Sequence, residues 1–149
     1  HLVFASLHTA DTMQAMSRIL EFFEPRDHGF VRGALANTLR AVCAQRLVPA
    51  VPEFAEGRGG VVPATEVLLG TGLVKEKIRE GQDADLPAII AGSRSERMRS
   101  FTQSLAELVE REWVSVPVAL EHAPNREALS SMLKGVDVRA ASLVSRSKG

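Results

Sequence analysis

The sequence predicts an α/β fold that passes into an all-helical segment, and three observations carry that expectation. Leu2-Val3-Phe4-Ala5-Ser6-Leu7 is almost continuously apolar, the pattern of a strand covered on both faces in a parallel sheet. The polar turn His8-Thr9-Ala10-Asp11 follows directly and leads into helical spacing at Met13, Met16, Leu20 and Phe23, with Thr9 or Asp11 as the cap. From Gly70 onward the apolar periodicity is that of short helices.

The elements between these landmarks follow from local chemistry. Pro25 to Gly29 breaks the first helix, and Asp27 opens a second whose inward members run Phe30, Val31, Ala34, Leu35, Thr38, Leu39, Val42 and Cys43; Arg46-Leu47-Val48-Pro49 ends it, with direct passage into a short strand as one reading. Pro49, Pro52, Gly57, Gly59 and Gly60 mark a hairpin-like excursion. Val61 to Leu69 reads as a strand, and Pro63 within it calls for an edge position or a bulge because proline has no N–H for a ladder.

Leu73 to Glu80 is an amphipathic helix stopped near Gly81, and Leu86 to Ala91 is a short one ahead of Gly92. A longer helix turns Met98, Phe101, Leu105, Leu108 and Val109 inward and ends on Trp113-Val114. Ser115 caps a short segment, and Pro124-Asn125 starts a last helix carrying Leu129, Met132 and Leu133. The subdivision expected is a sheet-containing part at 1–69, a helical part at 70–134 and a mobile tail at 135–149.

Composition narrows the function. The 149 residues are 45% hydrophobic, enough for a sizeable core, and carry 18 basic against 18 acidic side chains, so no global field draws in nucleic acid or an anionic membrane. Cys43 is the only cysteine, which excludes an internal disulfide and a multi-cysteine zinc site; its neighbours Val42 and Ala44 suggest a buried small hydrophobe. No apolar run reaches the roughly 20 residues that span a bilayer. Since the chain opens inside a strand-like run without a methionine, further chain is expected ahead of His1.

Few residues invite chemistry. His8 stands at the carboxyl end of the apolar run, where α/β folds place groups that touch ligands. Its ring suits a hydrogen bond to a phosphate or a water; the other reading is a strand-end histidine satisfied by a backbone carbonyl. Thr9 offers a hydroxyl to the same ligand or serves as a helix cap. His1 precedes the same run, and a strand rising about 3.3 Å per residue separates it from His8, so the two are not assumed to share a metal. His28 and His122 adjoin chain breaks and read as surface groups. Glu66, the only acid in its strand-like segment, pairs with Arg46 or another base, or faces solvent. Arg94, Arg97 and Arg99 with Glu96 form a charge-rich entry to a helix, read as a solvated face or as a contact with a partner subunit or protein. No zinc-protease, calcium-loop or serine-elbow pattern occurs, and the chain lacks the glycine-rich phosphate loop with its lysine.

His1-Leu2-Val3-Phe4-Ala5-Ser6-Leu7-His8-Thr9-Ala10-Asp11 resembles the histidine box of the type II/type IV secretion ATPase superfamily. Val31, Arg32, Leu35, Leu39, Val42, Gln45 and Leu47 match a segment of the pilus retraction, or twitching-motility, branch. Pro63 to Thr71, Lys77-Ile78-Arg79-Glu80-Gly81-Gln82, Phe101 to Leu105 and Ala123-Pro124-Asn125 are similar to later motifs of that branch, so the resemblance covers residues 1 to about 134. Gln82 stands where the branch has a basic residue, and Trp113-Val114 and Pro117-Val118 also depart from it.

The resemblance implies the C-terminal part of a RecA-like P-loop ATPase domain followed by a small all-helical subdomain, within a cytoplasmic hexameric motor peripheral to the inner membrane. Such a motor uses ATP and Mg²⁺ to disassemble pilin fibres, and its partners are identical subunits and the inner-membrane pilus platform protein, with no direct nucleic-acid partner. It implies that His8 senses nucleotide with Thr9 beside it, that His1 and His8 approach the phosphate side, and that Glu66, Arg79 and Glu80 serve subunit contacts or motor coupling. Without the phosphate loop and the acidic Walker segment, these 149 residues are expected to be inactive alone and to hold no cofactor securely. Two other readings stand beside this one: a pilus-assembly or type II secretion ATPase, against which the lone Cys43 speaks, and a non-catalytic protein-interaction module.

Overall fold

The computed structural model describes residues 1–57 and 59–135. Its first helix, α1 (Thr12–Leu20), begins where Asp11 accepts a hydrogen bond from the Gln14 backbone N–H at 2.8 Å. Gln14 answers by accepting from the Ala10 N–H at 3.3 Å, so the pair satisfies one open amide of the first turn and the amide just ahead of the cap. Of the apolar series on α1, Met16 and Leu20 are buried, whereas Met13 and Phe23 are exposed. A 3-10 turn at Pro25–Asp27 leads into α2 (His28–Thr38).

The expected second helix is too long. It stops at Thr38, and Ala41–Pro49 is a strand, β1, which pairs with β2 (Val61–Leu69). Gly70 N–H donates to Arg40 O at 2.8 Å and Ala50 N–H to Gly60 O at 3.0 Å, so facing residues run in opposite directions with one register from end to end. That register puts Val48 opposite Val62, and Ala44 opposite Glu66, on one covered face. Cys43 falls on the other face and is exposed, against the sequence expectation of burial. The apolar residues of 31–43 fit a helical spacing, but pairing with β2 decides the outcome after Thr38.

The same register explains Pro63. Even-numbered β2 residues exchange ladder bonds with β1, so odd-numbered ones point their amides away from it. Val67 confirms the parity by exchanging both backbone bonds with Arg99 on the far side, at 2.7 and 3.2 Å. Proline at 63 therefore costs the ladder nothing, and the constant register leaves no bulge. Between the strands, α3 (Pro52–Ala55) and glycines 57, 59 and 60 at positive φ form the expected excursion.

Residues 2–7 are the second correction. They form no strand among the described residues, and Phe4 is 90% exposed. A strand exists only through its ladder, and the one described sheet consists of β1 and β2 alone.

After β2, α4 (Gly72–Glu80) is capped by Thr71 and closed by Gly81 at φ 73°. A 3-10 turn at Asp83–Asp85, α5 (Leu86–Gly92) and another turn at Arg94–Glu96 follow. Then come α6 (Phe101–Glu110), α7 (Val116–His122) and α8 at 126–135, whose start Asn125 caps by accepting from the Ala128 N–H at 2.9 Å. The expected tail beyond 135 lies outside the described residues.

The chain forms two compact units, each discontinuous in sequence. The first, 1–46 with 65–100, centres on Met16, Ala36, Leu68, Ile78, Leu86 and Ile90, all buried. The second takes the described residues of 47–64 and 101–135, and buries Val48, Val62, Phe101, Leu105, Val114 and Leu129. In the second unit Phe54 stacks on Trp113 with ring centroids 4.4 Å apart, and the Val51 N–H donates to Trp113 O at 2.9 Å. Those contacts hold the proline-glycine excursion to the end of α6.

Candidate functional site

The polar turn that ends the apolar run is built around two opposed constraints. Its last residues are fixed: Asp11 caps α1, and Thr12, the first helical residue, is buried against Glu66. One Glu66 carboxylate oxygen accepts the Thr12 backbone N–H at 3.1 Å and its hydroxyl at 2.8 Å. Glu66 is only 9% exposed, and a carboxylate at a helix start is favoured by the unsatisfied amides and the positive end of the helix dipole. Arg46, which shares the covered face of the ribbon, directs its Nε to Ala10 O at a long 3.5 Å. The ribbon thus grips the turn from Ala10 to Thr12.

The first residues of the turn are open. His8 is exposed and Thr9 half-buried, and both line a cleft of about 390 Å³ together with Ser6, Gln14, Arg18 and Phe22. Arg18 pairs with Glu21 at 2.5 Å and lies over the Phe22 ring at 5.2 Å. The cleft therefore offers a hydroxyl, an imidazole and a guanidinium to an anion, with one carboxylate already on the guanidinium. His1 is exposed and does not line this cleft.

The remaining candidates lie elsewhere in the same unit. Arg79 and Glu80 end α4, both exposed, and Arg79 donates to Asn37 Oδ1 on α2 at 3.2 Å. Beside them is an arrangement that sequence reading missed. Arg32 binds both Asp83 carboxylate oxygens, at 2.8 and 2.7 Å, and also donates to Ile78 O at 3.1 Å. The hydrogen bonds that Arg32 donates to Asp83 are the main cause that raises the Arg32 pKa above its ordinary value, against the opposing effect of burial. Lys77 meets Asp85 at 2.9 Å, and that bond raises the lysine pKa. The separation of Arg32 from Asp83 by 51 positions left no local signal for the pair.

No group of three His, Cys, Asp or Glu side chains suited to a metal occurs among the described residues. Likewise, no helix among them is long and apolar enough to cross a membrane.

No family model matches the chain. The type IV pilus ATPase PilU of Pseudomonas aeruginosa is 37% identical over 134 residues, covering 90% of this chain and 34% of PilU. The chain is a homologue of the PilT/PilU type IV pilus ATPases. PilT of the same organism, named a retraction ATPase, is 30% identical over 83% of the chain and 34% of its own length. A crystal structure of the pilus retraction motor PilT with bound ADP superimposes with a TM-score of 0.70 and 27% identity, over 88% of this chain and 35% of that one. The Legionella pneumophila ATPase DotB, at 20% identity and a TM-score of 0.57, shares the fold. The chain thus spans about a third of the curated relatives it matches. What it shares with these RecA-like ATPases is the two-stranded ribbon and its helices, without a full RecA-like core.

Proposed function

We propose that this chain is the C-terminal, nucleotide-responsive part of a hexameric ATPase that drives type IV pilus retraction. The observation that carries the reading is the split turn: His8 and Thr9 open to a cleft, while Thr12, four residues after His8, is locked to Glu66 on the ribbon. A turn that is free where a ligand would touch it and fixed where it joins a helix converts occupancy into movement of that helix.

In this reading His8 senses the phosphate or attacking water, Thr9 supports it, and His1 approaches from the preceding run. Glu66 carries the resulting movement into β2, which leads through Gly70 to α4 and to Arg79 and Glu80, the residues assigned to motor or subunit coupling. ATP supplies the phosphoryl chemistry of the intact protein. The cleft fits one side of a phosphate site; no group of three His, Cys, Asp or Glu among the described residues could hold a metal by itself, and Mg²⁺ would be held there together with the phosphates by one or two hydroxyl or carboxylate ligands. Those ligands and the phosphate loop belong to the other two thirds of the motor. The remaining proposals are a cytoplasmic assembly peripheral to the inner membrane, identical subunits as partners, a pilus platform protein as the load, and a division of the chain at 1–69 and 70–134 within the parent fold. The relatives named as pilus and retraction ATPases support the pilus-motor assignment; the division of the chain rests on the sequence pattern alone.

The test is a hybrid in which this chain replaces the matching third of P. aeruginosa PilT. Hexamers in sedimentation and ATP hydrolysis by the hybrid, with no hydrolysis by the chain alone, are expected. A folded hybrid that neither assembles nor hydrolyses ATP would refute the assignment.

A further inference from the structure

The guanidinium of Arg32 grips both ends of one short segment. At one end it donates to Ile78 O at 3.1 Å; at the other it binds Asp83 through two parallel bonds of 2.8 and 2.7 Å. Both side chains are largely covered, with 18% and 14% exposure, so the pair is shielded from water more than an ordinary surface ion pair. Between the two anchor points the chain leaves α4, turns at Gly81 with φ 73°, and carries Arg79 and Glu80. The helix closes on itself there too: Gly81 N–H donates to Ile78 O at 3.2 Å and Gln82 N–H to Lys77 O at 2.9 Å. A Cβ on Gly81 would lie 3.6 Å from Arg32 Nε, so the guanidinium packs flat against the turn.

This geometry is more than a helix cap. A cap satisfies the last carbonyls of its own helix, whereas Arg32 belongs to α2 and fastens the end of α4 to a different element. The Arg79 bond to Asn37 adds a second tie between the same two helices. With both ends of residues 78–83 fixed to one side chain, displacement of α2 is transmitted to Arg79 and Glu80 without slack.

We propose that Arg32, acting through Asp83 and the Ile78 carbonyl, is a positioning residue that holds the Arg79–Glu80 turn rigid on α2 for transmission of force. The proposal rests on the reading of the chain as part of a retraction motor, and it adds a specific pair to it. Arginine is required because lysine, a point charge, cannot reach a carboxylate bidentately and a carbonyl at once.

The experiment has two arms. In the chain itself, amide exchange of residues 79–83 is followed in Arg32→Ala, Asp83→Ala, the double variant and Arg32→Lys. Each alanine variant is expected to speed exchange by about tenfold or more, with the double variant close to either single one and lysine in between. In the PilT hybrid, retraction and ATP hydrolysis are measured side by side. Arg32→Ala is expected to cut retraction about tenfold while hydrolysis stays within about twofold, and Arg32→Lys to restore part of the retraction, because only the link to the load is loosened.

Unchanged exchange at 79–83 would overturn the proposal. So would an equal fall of hydrolysis and retraction, which marks a general loss of structure. A hybrid that lacks hydrolysis even with Arg32 intact would instead sink the motor reading, and the exchange arm would still decide whether Arg32 positions the turn.

Discussion

Glu66 on β2 and Thr12 at the start of α1 share one carboxylate oxygen, which accepts both the backbone amide and the hydroxyl of the threonine. Removing the carboxylate with Glu66→Ala leaves two buried donors unsatisfied and is expected to cost about 2–3 kcal/mol in urea denaturation. Thr12→Val is expected to cost about 1 kcal/mol, and Thr12→Ser to restore most of it by keeping the hydroxyl. Equal stability for all three variants would show that the carboxylate does not hold the helix.

The strand register yields a sharp contrast between neighbours. Proline already occupies the outward position 63, so Pro63→Val is expected to change stability by less than about 0.5 kcal/mol. Ala64 is buried and its amide faces β1, so Ala64→Pro is expected to cost about 3 kcal/mol or to prevent folding. Thermal denaturation of the two variants would read the difference directly.

Gly70 is a steric requirement of the fold. A Cβ there would lie 2.3 Å from the Leu39 carbonyl oxygen, a backbone atom that cannot swing aside, while the Gly70 amide is held by Arg40 O at 2.8 Å. Gly70→Ala is expected to destabilise by about 1–3 kcal/mol, measured by urea denaturation. By comparison Gly33→Ala, where a Cβ meets nothing within 4 Å inside α2, is expected to be stabilising by about 0.5–1 kcal/mol.

The two cations with perturbed titration make a directional claim about pH. Their folded-state pKa values are raised, Lys77 chiefly by Asp85 and Arg32 chiefly by Asp83. A raised folded pKa contributes stability that is complete below the unfolded value and is lost as pH rises through the folded one. The Lys77 contribution therefore persists across neutral pH and fades only above the ordinary lysine value of 10.5. Melting temperatures of the wild type and Lys77→Met are expected to converge as pH climbs past that point; a gap that widens would reverse the sign.

Much of this architecture is written locally. Gly81 stops α4, Asn125 caps α8 and Pro63 announces an outward strand position because each acts on backbone within a few residues of itself. Residues 41–45 are misread as helix because their apolar spacing suits either state, and only the partner strand selects one. The run at 2–7 has the composition of a covered strand, yet a strand needs neighbours, and none of the described residues serves. At the site, His8, Thr9 and Glu66 are recognisable by type and place. The bond from Glu66 to Thr12 and the grip of Arg32 on Asp83 are not, because both join residues far apart in sequence through ordinary polar side chains.

The most direct measurement is ATP hydrolysis by the PilT hybrid with and without His8→Ala, at matched hexamer content. If the exposed imidazole meets phosphate or water in the cleft, hydrolysis falls by about tenfold or more while assembly is unchanged. Hydrolysis that proceeds at the same rate without the imidazole would contradict the account of this turn as the nucleotide-responsive part of the motor.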